Sequence, residues 1–87
     1  MGKQYKILFR KSAEKQLLSL PPKAGKNIIL KIRQLSENPF LPGVKKMIGF
    51  ENIFRLRSGK YRIVYSVEKD KLIIEIIKIG HRQNIYK

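Results

Sequence analysis

The chain has 87 residues, no cysteine, and 20 Lys+Arg against 6 Asp+Glu, for a formal net charge of +14. That length excludes a second core, the missing thiols exclude disulfides and cysteine chemistry, and 43% apolar residues exclude a disordered tail. Self-repulsion at this charge opposes compaction, so an anionic partner accounts for it: nucleic acid, a membrane surface or an acidic protein, with plain solubility as the alternative. No run approaches ~20 apolar residues and the N-terminus lacks the apolar core of a signal peptide. The expectation is therefore a single cytoplasmic domain over residues 1–87 with no membrane partner.

Tyr5 to Phe9 alternates loosely and is rich in strand formers, which predicts a first strand. Ser12 is placed to cap a helix, with Glu14 in its first turn. Ala13, Leu17 and Leu20 recur at helical spacing until Pro21-Pro22 stops the run. Pro22 suits the first position of a second helix, in which Gly25, Ile28, Ile32 and Leu35 share a face with Ile29 beside it. Lys23, Lys26, Lys31 and Arg33 cover much of the rest, an outer face that reads as solvated surface. Asn38-Pro39 ends this helix, and residues 39–51, with Pro39, Pro42, Gly43 and Gly49, read as a loop centred on Lys45-Lys46.

Three strands are predicted after the loop, at about 52–57, 60–67 and 72–79, joined by two-residue turns at Ser58-Gly59 and Lys69-Asp70. The last is nearly all apolar, which places it inside the sheet with both faces covered. The fold class is α+β: a strand, a two-helix hairpin and a three-stranded antiparallel meander in one twisted sheet with the helices on one face.

Side chains alternate along a strand, so Phe54 and Leu56 share one face while Ile53, Arg55 and Arg57 share the other. A Ser58-Gly59 turn sets Arg57 opposite Lys60, Arg55 opposite Arg62, Leu56 opposite Tyr61 and Phe54 opposite Ile63. Facing like charges destabilise a sheet by about 0.2–1 kcal/mol, and a bound phosphate turns that repulsion into bidentate hydrogen bonding. Exposure of both arginines to water is the plain alternative. A Lys69-Asp70 turn sets Ile77 beside Arg62, so that His81, the one histidine, projects from Arg62's face, where its ring could move protons near neutral pH. Arg82 and Tyr86 complete the set. Gly80 can break the pleat before Arg82, and Tyr86 is either an aromatic anchor or a group for base stacking or proton transfer.

One histidine and six scattered acids give no metal-ligand cluster, and no Gly-rich phosphate loop, serine triad or carboxylate dyad is present, so no cofactor is expected. Arg, Lys, His and Tyr suit phosphodiester cleavage by the neighbouring RNA 2′-hydroxyl. Cations stabilise charge on the phosphorane, and single residues manage the entering and leaving protons.

Asn38-Pro39, Lys46-Met47-Ile48-Gly49, the run from Phe54 to Tyr65 (FRLRSGKYRIVY), and Ile79-Gly80-His81-Arg82 followed by Tyr86 together resemble the RelE/ParE toxin superfamily across nearly the whole chain. RelE-type members cut messenger RNA in the ribosomal decoding site; ParE-type members share the fold but poison DNA gyrase. The resemblance implies a phosphate-contacting Arg55, a transition-state-stabilising Arg62, an Arg82 at the scissile region, and a Tyr86 that stacks on or activates the substrate. Ile53 departs from the RelE pattern, which has lysine there, and His81 stands where that pattern has lysine, so His81 is a candidate proton carrier. Lys45, Lys46, Arg57 and Lys60 are expected to bind RNA phosphates. The implied protein is the toxin of a type II toxin-antitoxin system acting on mRNA at the ribosome, docked on rRNA and neutralised in a hetero-oligomer with a cognate antitoxin. The alternatives are a ParE-like gyrase inhibitor and a non-catalytic RNA-binding module.

Overall fold

Residues 4–81 are described by a computed structural model. Its elements in chain order are β1 (Lys6–Phe9), α1 (Lys11–Leu18), α2 (Pro22–Glu37), β2 (Lys45–Lys46), β3 (Ile53–Ser58), β4 (Tyr61–Glu68) and β5 (Ile73–His81). One sheet runs β1-β5-β4-β3-β2, with β1 parallel to β5 and the other neighbours antiparallel. The α+β class and the helical hairpin stand as expected. The expected loop at 39–51 contains the short β2, and β5 is internal, flanked by β1 and β4.

Local chemistry explains most boundaries. Pro22 occupies the first turn of α2, where its missing N–H costs nothing, and Asn38 ends the helix by turning extended while its Oδ1 accepts from the Phe40 amide at 3.0 Å. Ser12 is not the cap of α1. Arg10 holds that position in extended conformation, φ −66° and ψ 145°, because its amide donates to the Ile76 carbonyl of β5 at 2.9 Å. The chain therefore enters the helix directly from the sheet, two residues earlier than a Ser12 cap allows.

Both helices lie on one sheet face. Ala13 of α1 and Ile28, Ile32 and Leu35 of α2 pack with Leu56, Ile63, Tyr65, Val67, Ile74, Ile76 and Ile79. Two polar ties fix this layer. The Tyr65 hydroxyl donates to the Pro39 carbonyl at 2.7 Å, and the Ile79 amide donates to the Gln16 side chain at 2.8 Å. Burial pushes the Tyr65 hydroxyl pKa well above its ordinary value. On β5 only Ile74, Ile76 and Ile79 are buried, so one face of this strand is covered rather than the two its composition suggested.

Both meander registers differ from expectation. Ser58 pairs with Tyr61, so the turn is Gly59-Lys60, with Gly59 at φ +61° in the first central position, where a type II′ turn requires positive φ. Leu56 then faces Ile63, Phe54 faces Tyr65, and Arg57 rather than Arg55 faces Arg62. The shift is two residues, which preserves every face. The β4–β5 pair differs in kind. Its connection spans four residues, with Leu72 at φ 55°, and Val64 pairs with Lys78 while Tyr65 pairs with Ile76. Ile77 is thus the extra residue of a β-bulge, and alternation reverses beyond it.

Candidate functional site

The sheet face away from the helices collects cations. Alternation puts Arg55 and Arg57 of β3 and Arg62 of β4 on it, opposite in direction to Leu56 and Ile63. β2 adds Lys45, which pairs directly with Arg55. Lys45, Arg55, Arg57, Arg62 and Gly43 line a cleft of about 380 Å³. Arg62 is only 9% exposed, with Arg57 across from it on one side and Gly80, which has no side chain, on the other. The guanidinium stays charged at any ordinary pH, so this position fixes a positive charge at the cleft wall. Arg55 is steadied from the β2–β3 connection, where its Nη1 contacts the Met47 sulfur at 3.9 Å.

The cleft thus unites four of the sequence-predicted residues: Lys45, Arg55, Arg57 and Arg62. Lys46 is not among them. It pairs with Phe54 and lines a separate hollow with Phe40 and Lys69 at the far end of the sheet. Lys60 sits in the β3–β4 turn, in a hollow with Lys23 and Tyr61. His81 is the main correction. The bulge at Ile77 pairs it with Tyr61 instead of leaving it on Arg62's face, and the two rings stand edge to face with centroids 5.8 Å apart. Arg82 and Tyr86 lie outside the described residues. Lys78, which pairs with Val64 on the open face, was missed because its side depends on the bulge. Met47 was missed because nothing in the sequence ties it to Arg55.

Guanidinium groups in a concave site can hold an anion with two or more non-ester oxygens by paired N–H donation. Among the described residues no acidic side chain lines this cleft. Among the described residues no group of three His, Cys, Asp or Glu side chains converges as a metal site would require.

A small α+β protein, with helices on one sheet face and an anion-ready cationic cleft on the other, is the class that fold and site define. Residues 7–86 match the family described as the ParE toxin of the type II toxin-antitoxin system parDE, and the chain belongs to that family: it is a toxin of the RelE/ParE superfamily. It is 35% identical over 85 residues to toxin RelE3 of Methanocaldococcus jannaschii, covering 93% of this chain and 94% of that protein. The fold is similar to that in the crystal structure of the archaeal RelE–RelB complex from Pyrococcus horikoshii, with a TM-score of 0.80, 29% identity, and coverage of 91% of this chain and 96% of that one. The intact E. coli RelBE toxin–antitoxin complex gives a TM-score of 0.78 and 26% identity, with coverage of 88% and 95%.

Proposed function

We propose that this toxin is a ribosome-dependent endoribonuclease that cleaves mRNA through attack by the RNA 2′-hydroxyl. The observation that carries the reading is the cleft in which Lys45, Arg55, Arg57 and Arg62 surround one volume, with no acidic side chain among the described residues that line it. A scissile phosphate seated there has cations on several sides, and charge growing on its equatorial oxygens is met by donors already in place. Arg62, held at the wall, stabilises that charge; Arg55, Arg57 and Lys45 orient the neighbouring phosphates. RNA supplies its own nucleophile, so the protein's remaining task is to move two protons, for which His81, Arg82 and Tyr86 are the candidates. His81 pairs with Tyr61 on the helix side of the sheet and does not line the cleft, so the cleft geometry supports it least of the three.

A cognate antitoxin is the second partner in this reading, in a cytoplasmic toxin–antitoxin hetero-oligomer. Support comes from the RelB-bound relatives and from the helical hairpin. There Leu18 is 79% exposed and, with Leu17, Leu20, Ile29 and Leu30, lines an apolar groove of the kind that marks protein contact sites.

The match to ParE toxins favours one other reading, a gyrase-directed inhibitor with no nuclease activity. Incubation with programmed ribosomes followed by mapping of mRNA ends separates the two. Cleavage in the decoding site by the wild type that is lost in Arg62→Ala is the expected result. Intact mRNA together with inhibited gyrase supercoiling would overturn it.

A further inference from the structure

The cationic cleft does not end at Arg57. Arg57 also lines a second hollow of about 400 Å³, with Asn27, Lys31 and Gln34 of α2. That hollow shares Asn27, Ser58 and Gly59 with a third, of about 550 Å³, which reaches Lys23, Lys60 and Tyr61. The three are therefore neighbours in sequence, Arg57 bordering the first two and the β3–β4 turn the last two, from the open sheet face to one side of α2. Among the described residues no acidic one lines any of them, although the chain has six acids.

The α2 side of this path is a single stripe. Lys23, Asn27, Lys31 and Gln34 recur at intervals of four, four and three, which keeps them on one helix face. Lys26 and Arg33 lie on a different face, beside Ile29 in the apolar groove. The basic outer surface of α2 is thus divided, and only one part of it joins the cleft.

We propose that this stripe is the continuation of the RNA path: the strand whose phosphate occupies the cleft passes the β3–β4 turn and lies along Lys23, Asn27 and Lys31. The inference rests on the reading of the cleft as a phosphate site. Lysines hold a backbone without reading sequence, while Asn27 and Gln34 can both donate to phosphate and accept from sugar hydroxyls. Tyr61, with His81 edge-on to it, supplies an aromatic surface at the path's far end on which a base can stack. The path bends within a molecule of 33 × 28 × 25 Å. DNA duplexes resist bending over a persistence length of about 50 nm. A stiff double helix therefore cannot follow the path, and a single strand can.

Two charge-reversed pairs on α2 test this, because they change net charge equally. K23E/K31E alters the stripe; K26E/R33E alters the other face. The probe is a fluorescein-labelled, 2′-O-methylated single strand of about twelve nucleotides, which resists cleavage, beside one of about four. Each phosphate contact in a single strand adds about 0.7 to the slope of log affinity against log salt. K23E/K31E should lower that slope by about 1.4 and weaken the longer strand roughly ten- to thirtyfold near 0.1 M salt, with K26E/R33E much less affected and the shorter strand nearly indifferent to both. Equal losses from both pairs would overturn the path in favour of a diffuse field, and unchanged RNA affinity with lost antitoxin binding would assign the stripe to the protein partner. Arg55→Ala and Arg62→Ala tested on the same strands keep the two claims apart. If they have no effect, the cleft reading fails; if they weaken binding and the stripe pair matches its control, only the path fails. Lys23→Gln, at an exposed position, repeats the test with a milder change should the double variant melt early.

Discussion

β4 meets two environments on its two sides. Tyr61, Ile63, Tyr65 and Val67 face the helices, and Ile63 and Tyr65 are wholly buried there. Arg62, Val64 and Ser66 face away, and Arg62 has Arg57 directly across from it. The covered side gains stability from apolar burial, while the other side buries Val64 but sets like charges opposite each other at Arg57 and Arg62. One strand thus separates what holds the molecule together from what it offers to a ligand. Substitutions on alternate residues should separate the same way.

The largest effect is expected on the covered side. Ile63→Ala removes a side chain with no exposed surface and should cost about 2–5 kcal/mol, read from urea unfolding. Its neighbour Arg62→Met should act chiefly on activity. Mapped mRNA ends should appear about 100- to 1000-fold more slowly, the loss expected when one charge-stabilising donor is removed. Stability should fall by less than in Ile63→Ala, because methionine keeps the apolar stem that the arginine buries. A loss of stability as large as that of Ile63→Ala would break the comparison, since Arg62 would then be structural.

Tyr65→Phe sharpens the covered side. It strips the buried Pro39 carbonyl of its 2.7 Å donor and should cost about 1–3 kcal/mol. Because burial raises this hydroxyl's pKa, the folded state holds the proton more tightly than the unfolded chain. That contribution is complete below pH ~10, the ordinary tyrosine value, and is lost as pH rises beyond it. Unfolding followed from pH 8 to about 11 should therefore show a decline in the wild type that is shallower in Tyr65→Phe. The smallest effect is Arg57→Ala. Removing one of two facing like charges should stabilise by about 0.2–1 kcal/mol at low salt, a gain that shrinks as salt is added, while RNA affinity falls.

Alternation and punctuation made the elements readable. Pro22 and Asn38-Pro39 bound α2, and the period of two along residues 53–58 separates Leu56 from Arg55 and Arg57 in the sequence alone. Pairing was harder, for two distinct reasons. At the β3–β4 turn both Ser58-Gly59 and Gly59-Lys60 put a glycine in a two-residue loop, and only the pairing of Ser58 with Tyr61 decides between them. That ambiguity moved partners by two and left every face intact, so the cationic cleft was foreseen with the wrong facing pair. At β4–β5 the bulge at Ile77 left no trace in a run of isoleucines, and an odd shift carried His81 to the opposite face. β2 is two residues long, too short for alternation to reveal it among prolines and glycines. The parallel neighbour of β1 is likewise a tertiary choice that its own four residues do not encode.

That parallel pairing bears on when the molecule becomes complete. Lys6 pairs with Ile73 and Phe9 with Ile76, so the first strand synthesised waits for the last described one, which then inserts between β1 and β4. Contacts this distant in sequence form late and slowly. The rest of the meander can assemble while β5 is still being made, but without β5 neither β1 nor the wall of the cleft beside Gly80 is in place. A chain emerging from the ribosome therefore carries its cations well before it carries the finished cleft, and the interval is set by the order of the strands.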